Sequence, residues 1–144
     1  MMSLNDNKAV ARRFIEEVFV KGNAGAVDEV AAEDFTPHSW QSVEPGRESL
    51  KKAIKRVFAG LSDVSMKIED VIAEGDKVAV RLTSHAVHDG EFMGIPASGK
   101  AYTISETHIF RIEDGKVAEH WRDADMLGLM TQLGAIRMPL RKAS

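Results

Sequence analysis

The stretch THIFRIEDGKVAEHWRDAD, residues 107–125, decides the fold. Two segments with a period of two flank Glu113-Asp114-Gly115, which is the pattern of an antiparallel hairpin and not of a helix. Turn length then sets which side chains share a face. Asp114-Gly115 alone suits a two-residue type I′ turn, whereas Glu113-Asp114-Gly115 also suits a three-residue loop with Gly115 left-handed. The three-residue reading is preferred. It sets Ile112 opposite Lys116, His108 opposite His120 and Glu106 opposite Arg122, gathering four chemically active groups on one face. The two-residue reading sets His108 opposite Trp121 and sends Arg122 to the other side, because a one-residue slip reverses every side chain. In the preferred register Thr107, Ile109, Arg111, Val117, Glu119 and Trp121 form a mixed second face, suited to contact with another subunit.

Working outward, the period stays at two over AYTISETHIFRI (101–112), KVAVRLTSHAVH (77–88) and SMKIEDVIA (65–73), with an EGD turn between the last two. Upstream the period is helical. Asn5 or Asp6 can cap a helix carrying Val10, Phe14, Ile15, Val18 and Phe19, stopped at Gly22-Asn23. A short helix bears Val27, Val30 and Ala31, and DFTPHSWQSVEPGRES (34–49), with Pro37 and Pro45, reads as a loop. A helix after Gly46 buries Leu50, Ile54, Val57, Phe58 and Leu61, with Lys51, Lys52, Lys55 and Arg56 on its wet side. DGEFMGIPASGK (89–100) reads as a loop, and a last helix is capped by Asp125 and ended by Gly134. Helices first and a strand meander afterwards is the α+β pattern: a curved antiparallel sheet whose concave side the helices cover but do not fill, leaving an internal pocket.

The 144 residues form one domain, residues 1–144, with no internal repeat. A net charge of -3 gives no basic footprint for nucleic acid. No apolar stretch approaches the roughly 20 residues that span a bilayer. The N-terminus has no apolar signal core, and the lack of cysteine removes disulfides and thiolate chemistry. A cytoplasmic protein without nucleic-acid or membrane partners is expected.

Four groups carry the chemistry. A carboxylate across from a guanidinium keeps Glu106 ionised. Two adjacent histidines oppose each other's protonation, so His108 or His120 stays neutral near pH 7 as a potential base. His38, beside Trp40 in the loop, could close over the pocket, although exposed loop histidines are common. His85 and His88 fall on opposite faces of a strand and make no metal pair. Ser39 and Ser98 lack a nucleophile elbow, and GIPASGK lacks phosphate-loop spacing. Met126 and Met130 read as core or pocket-closing residues. A polar, water-filled groove without reaction remains the alternative for the whole cluster.

The motifs GEFMGIPASGK (90–100, from Gly90), THIFRIEDGKVAEHW (107–121) and DMLGLMTQLG (125–134) together resemble the SnoaL-like polyketide cyclases of the nuclear-transport-factor-2-like superfamily. The resemblance implies a cone-shaped α+β fold with a deep apolar pocket, a homodimer through the sheet, and neither metal nor cofactor. It implies ring closure of a polyketide ester by intramolecular aldol condensation, with an aspartate as acid/base and a histidine assisting. The histidine position falls on His108 and the aspartate position on Arg122. Arginine does not deprotonate in proteins, so Arg122 would instead hold a carboxylate or an enolate oxyanion. The expected assignment is His108 as acid/base, Glu106 orienting it or replacing the carboxylate, and Arg122 stabilising negative charge. His120, Phe110, His38 and Trp40 would contact substrate, a small apolar carbonyl compound. Two alternatives stand beside this enzyme: a non-catalytic binder of a small anionic or aromatic ligand, and a dimeric scaffold.

Overall fold

The computed structural model describes residues 2–38 and 43–137. The elements are helix α1 (Leu4–Phe14), a π-helical turn (Ile15–Val20), a 3-10 turn (Ala24–Ala26), helix α2 (Val27–Val30), strand β1 (Ala31–Pro37), helix α3 (Arg47–Gly60), strands β2 (Leu61–Glu74), β3 (Lys77–His88), β4 (Ala101–Glu113) and β5 (Lys116–Ala124), and helix α4 (Met126–Gln132). One five-stranded sheet has the order β1-β5-β4-β3-β2. Strands β2 to β5 form the expected antiparallel meander, but β1 pairs parallel with β5, so the sheet is mixed.

β1 had read partly as helix and partly as loop. Its inward residues, Ala31, Phe35 and Pro37, do not alternate evenly, because the pairing slips between Ala31 and Thr36. As an edge strand it also tolerates Pro37, whose missing N–H breaks no central ladder bond. Two helix boundaries move as well. Ser3, not Asn5 or Asp6, caps α1: its hydroxyl accepts from Asp6 N–H, and the Asp6 carboxylate accepts from Ser3 N–H, both at 3.0 Å. Leu61 leaves the α3 stripe to start β2. That junction depends on Gly60 and Gly90, where Asp89 and Gly90 donate backbone N–H to Gly60 O at 3.0 and 3.1 Å. A Cβ on Gly90 would lie 2.2 Å from the Ala59 carbonyl oxygen.

The hairpin differs from both registers considered from sequence. Glu113 pairs with Lys116 across a two-residue turn in which Asp114 and Gly115 both have positive φ, 50° and 76°, the type I′ geometry. Between Arg111 and Ile112 the ladder then slips, leaving Ala118 as the extra residue of a β-bulge. Two consecutive buried residues, Val117 and Ala118, mark it. Beyond the bulge His108 is opposite Arg122, Phe110 opposite His120 and Glu106 opposite Ala124. The bulge shifts the two-residue register by one and thereby restores the face of the three-residue reading. Glu106, His108, His120 and Arg122 share one side as expected, though with partners displaced by two positions. Val117, expected on the outer face, lies in the core because it precedes the bulge.

Helices α1 and α3 pack on the inner face over a core of Phe14, Phe35, Leu50, Ile54, Val80, Leu82 and Phe110. A second cluster, with Leu61, Tyr102, Ile104, Leu129 and Leu133, lies under α4. That helix is pinned by Gln132, whose side-chain amide accepts from Thr103 N–H (2.8 Å) and donates to Thr103 O (3.0 Å), as a neighbouring strand would.

Candidate functional site

Strand β4 alternates strictly, so Tyr102, Ile104, Glu106, His108, Phe110 and Ile112 all point inward. His120 and Arg122 join them from β5. The contacts run diagonally across the ladder. Arg122 Nε donates to Glu106 Oε1 at 2.8 Å, and His108 Nε2 lies 2.9 Å from the same oxygen. His108 Nδ1 lies 2.8 Å from His120 Nε2. An ionised carboxylate only accepts, so His108 carries its hydrogen on Nε2, leaving Nδ1 to accept from His120 Nε2–H. Arginine, carboxylate and two imidazoles thus form one chain of hydrogen bonds.

Glu106 is 3% exposed and both histidines are wholly buried. Burial pushes the Glu106 carboxyl up, but hydrogen bonds from His108 and Arg122, with the guanidinium charge, outweigh it and bring it down to about 2. Burial lowers His108 more than the Glu106 bond raises it. Burial, reinforced by neighbouring His108 and Arg122, holds His120 well below the ordinary imidazole value. Near neutrality the chain therefore holds one carboxylate anion, one guanidinium and two neutral rings. The π-helical turn bears on it directly. Its wider winding, with Lys21 N bonded to Glu16 O, aims Phe19 at the histidines, 5.2 Å from His108 and 5.3 Å from His120 between ring centroids.

The deep pocket expected here is filled at this end. Phe14, Phe19, Phe110 and the histidines pack ring against ring. A surface hollow lies elsewhere, against Val10, Arg13 and Val30. Phe110 is thus a core residue behind the histidines rather than a wall open to a ligand. His38 is not on this face at all. It stacks on Trp121 at 4.7 Å, and its Nε2 lies 2.9 Å from Glu119 Oε1, on the outer side of the sheet. Trp40 lies outside the described residues. His88, read only as a poor metal ligand, is buried and fastens the 89–100 segment: Nδ1 meets Ser98 Oγ at 2.9 Å and Nε2 meets Ile95 O at 3.2 Å. Sequence reasoning also missed Phe19, which looked like one more helical core residue.

Residues 9–133, which include this sheet, match a family model, SnoaL-like polyketide cyclase. The chain belongs to the SnoaL-like polyketide cyclase family. Aklanonic acid methyl ester cyclase DauD of Streptomyces sp. (strain C5) is 28% identical over 137 residues, covering 87% of this chain and 80% of that one. Nogalonic acid methyl ester cyclase of Streptomyces nogalater is 28% identical over 120 residues, covering 81% and 89%. Among solved structures, TsrD from Streptomyces laurentii superposes with a TM-score of 0.85 at 32% identity, over 94% of this chain and 100% of that one. Within this SnoaL-like chain the carboxylate of the inner face is Glu106 on β4, while position 122 on β5 holds a cation that neutralises it. Among the described residues no helix is long and apolar enough to cross a membrane.

Proposed function

We propose that this protein is a cofactor-free cyclase that closes a ring in a small, largely apolar carbonyl compound by acid/base chemistry. One observation carries the reading: a buried, ionised Glu106 bonded at once by Arg122 and His108. In such a closure a proton leaves a carbon beside a carbonyl, the resulting enolate carbon attacks a ketone in the same molecule, and the ketone oxygen takes up a proton. One carbon–carbon bond forms and nothing is lost, so no further reagent is needed. The neutral histidine pair takes the proton, which comes to rest on His108, and Glu106 stabilises the imidazolium that forms. The short bond from His120 makes the two rings one unit, so a proton accepted at His120 can pass to His108 and rest beside the carboxylate. Arg122, with a side chain 32% exposed, reaches the accessible end and stabilises the enolate oxygen.

The test is conversion of aklanonic acid methyl ester or nogalonic acid methyl ester to a product of unchanged mass. Glu106→Gln and His108→Gln should each lower turnover by about 10²–10⁴-fold, the usual share of general acid–base catalysis. Both esters recovered unchanged from the wild-type protein would overturn the reading.

We further propose that the protein pairs through its sheet as a homodimer, in the cytoplasm. Across the outer face the strand register aligns Ile72, Ala79, Ile109 and Trp121, with His38 stacked on the last. Ile72 is 66% and Ile109 38% exposed, an apolar row bordered by Lys77, Arg111 and Glu119. Sedimentation at micromolar concentration should give a dimer mass and Ile109→Glu a monomer. A monomeric wild type would remove the sheet-to-sheet pairing.

A further inference from the structure

His108 and His120 are both 0% exposed, yet a base has to come within about 3 Å of the proton it removes. A group arriving beside Arg122 meets Glu106 before either ring, because Glu106 stands between Arg122 and His108 in the hydrogen-bond chain. Something that covers the two imidazoles must therefore move before they can act on carbon.

Among the described residues, three phenylalanine rings pack on the pair. Phe110 lies 5.9 Å from His108 and 4.9 Å from His120, and Phe14 lies 6.2 Å from His120, between ring centroids. Both are 0% exposed members of the main core. Phe19 packs on both imidazoles, at 5.2 and 5.3 Å, and is only partly buried. Of the three it is the one that reaches from the histidines to the surface. Its backbone differs as well. Phe14 ends an ordinary α-helix and Phe110 lies within a strand, whereas Phe19 belongs to the π-helical turn Ile15–Val20. Single π turns are rare and gather at functional sites. Rewinding this one with ordinary i→i+4 bonds would rotate Phe19 about the helix axis and carry its ring off the pair.

We propose that Phe19 is the gate of the acid/base site: closed, its ring keeps water from His108 and His120, and open, it admits the substrate's acidic carbon to them. What it admits has to be flat and apolar, since it takes the place of a phenyl ring against two imidazoles backed by Phe14 and Phe110. An enolisable carbon beside an aromatic or conjugated ring has that shape. What passes the gate rests on the cyclase reading; the gate itself does not.

The probe is diethyl pyrocarbonate, which acylates neutral imidazole, with the labelling rate read at each histidine by peptide mass. His88 is the internal reference: it is also 0% exposed, but it packs on Ser98 and Ile95 instead of Phe19. In the wild type His108 and His120 should label faster than His88, because moving one ring exposes them while His88 needs the 89–100 segment to come away. Phe19→Leu should speed the pair, and Phe19→Ala should speed it about ten-fold or more, with His88 unchanged. Imidazole carbon shifts of Phe19→Ala should also show both rings titrating closer to the ordinary 6.5, since the burial that depresses them is relieved while Glu106 and Arg122 stay in place. The gate is overturned by a pair that labels no faster than His88 in the wild type, by no response to either variant, by equal acceleration at His88, or by an unmoved titration. Phe19-dependent labelling without turnover of either methyl ester overturns the cyclase reading and leaves the gate standing.

Discussion

Replacing Arg122 by methionine keeps much of the side chain's apolar length and removes its charge. Glu106 then loses the 2.8 Å bond from Arg122 Nε and keeps the one from His108. Burial alone would raise the Glu106 carboxyl, yet its partners hold it at about 2 against an ordinary 4.5. At 1.36 kcal/mol per pH unit that gap corresponds to roughly 3 kcal/mol of folding free energy. Since the folded-state value is the lower one, this stability is fully present above about pH 4.5 and is lost as pH falls toward 2. The Arg122 side chain is 32% exposed, so solvent screens part of its share. Arg122→Met should therefore destabilise the protein by about 1–2 kcal/mol at pH 7 and, by narrowing the gap between the folded and unfolded values of Glu106, shrink the acid limb of stability. Glu106→Gln should abolish that limb, and the double variant should lose less than the two single losses added. Urea midpoints for the four proteins between pH 3 and 8 measure this coupling. Additivity within about 0.5 kcal/mol, or an acid limb of undiminished size in Arg122→Met, would refute the charge pair as the element that holds Glu106 ionised.

The two histidines give a separate pH dependence. Burial depresses both, so the folded state binds fewer protons than the unfolded chain, and stability present above pH 6.5 declines as pH falls below it. His120→Leu should flatten that decline, and imidazole carbon shifts of the wild type should show both rings neutral at pH 6.5; a charged ring there contradicts the assignment. Gln132→Ala removes two hydrogen bonds to Thr103 and should cost about 1–2 kcal/mol while speeding amide exchange at Thr103. Unchanged exchange would mean that α4 is held by its apolar contacts alone. Gly90→Ala forces a Cβ against the Ala59 carbonyl and should lower stability by about 2–3 kcal/mol in thermal unfolding; a neutral effect would show that the strand junction gives way easily.

Local patterns in the sequence were enough for the meander, the start of the helix after Gly46, and the cap and stop of α4. Each rests on periodicity, or on Gly and Asp at turns and caps, which act over a few residues. They were also enough for the inward face of β4, and hence for Glu106 and His108 as neighbours. The rest depended on contacts between distant segments. β1 exists because β5 offers it an edge, and its own uneven pattern with Pro37 hides it. The bulge at Ala118 could not be read from the Asp-Gly turn, because an extra residue in a ladder is fixed by packing of Val117 and His120 into the core. His38 left the expected pocket because Trp121 offers a flat ring on the outer face. The expected pocket is filled beside the histidines because a π-helical turn swings Phe19 onto them, a choice set by what lies beneath it. Alternation along one strand says which way a side chain points; only the folded chain says what it meets there.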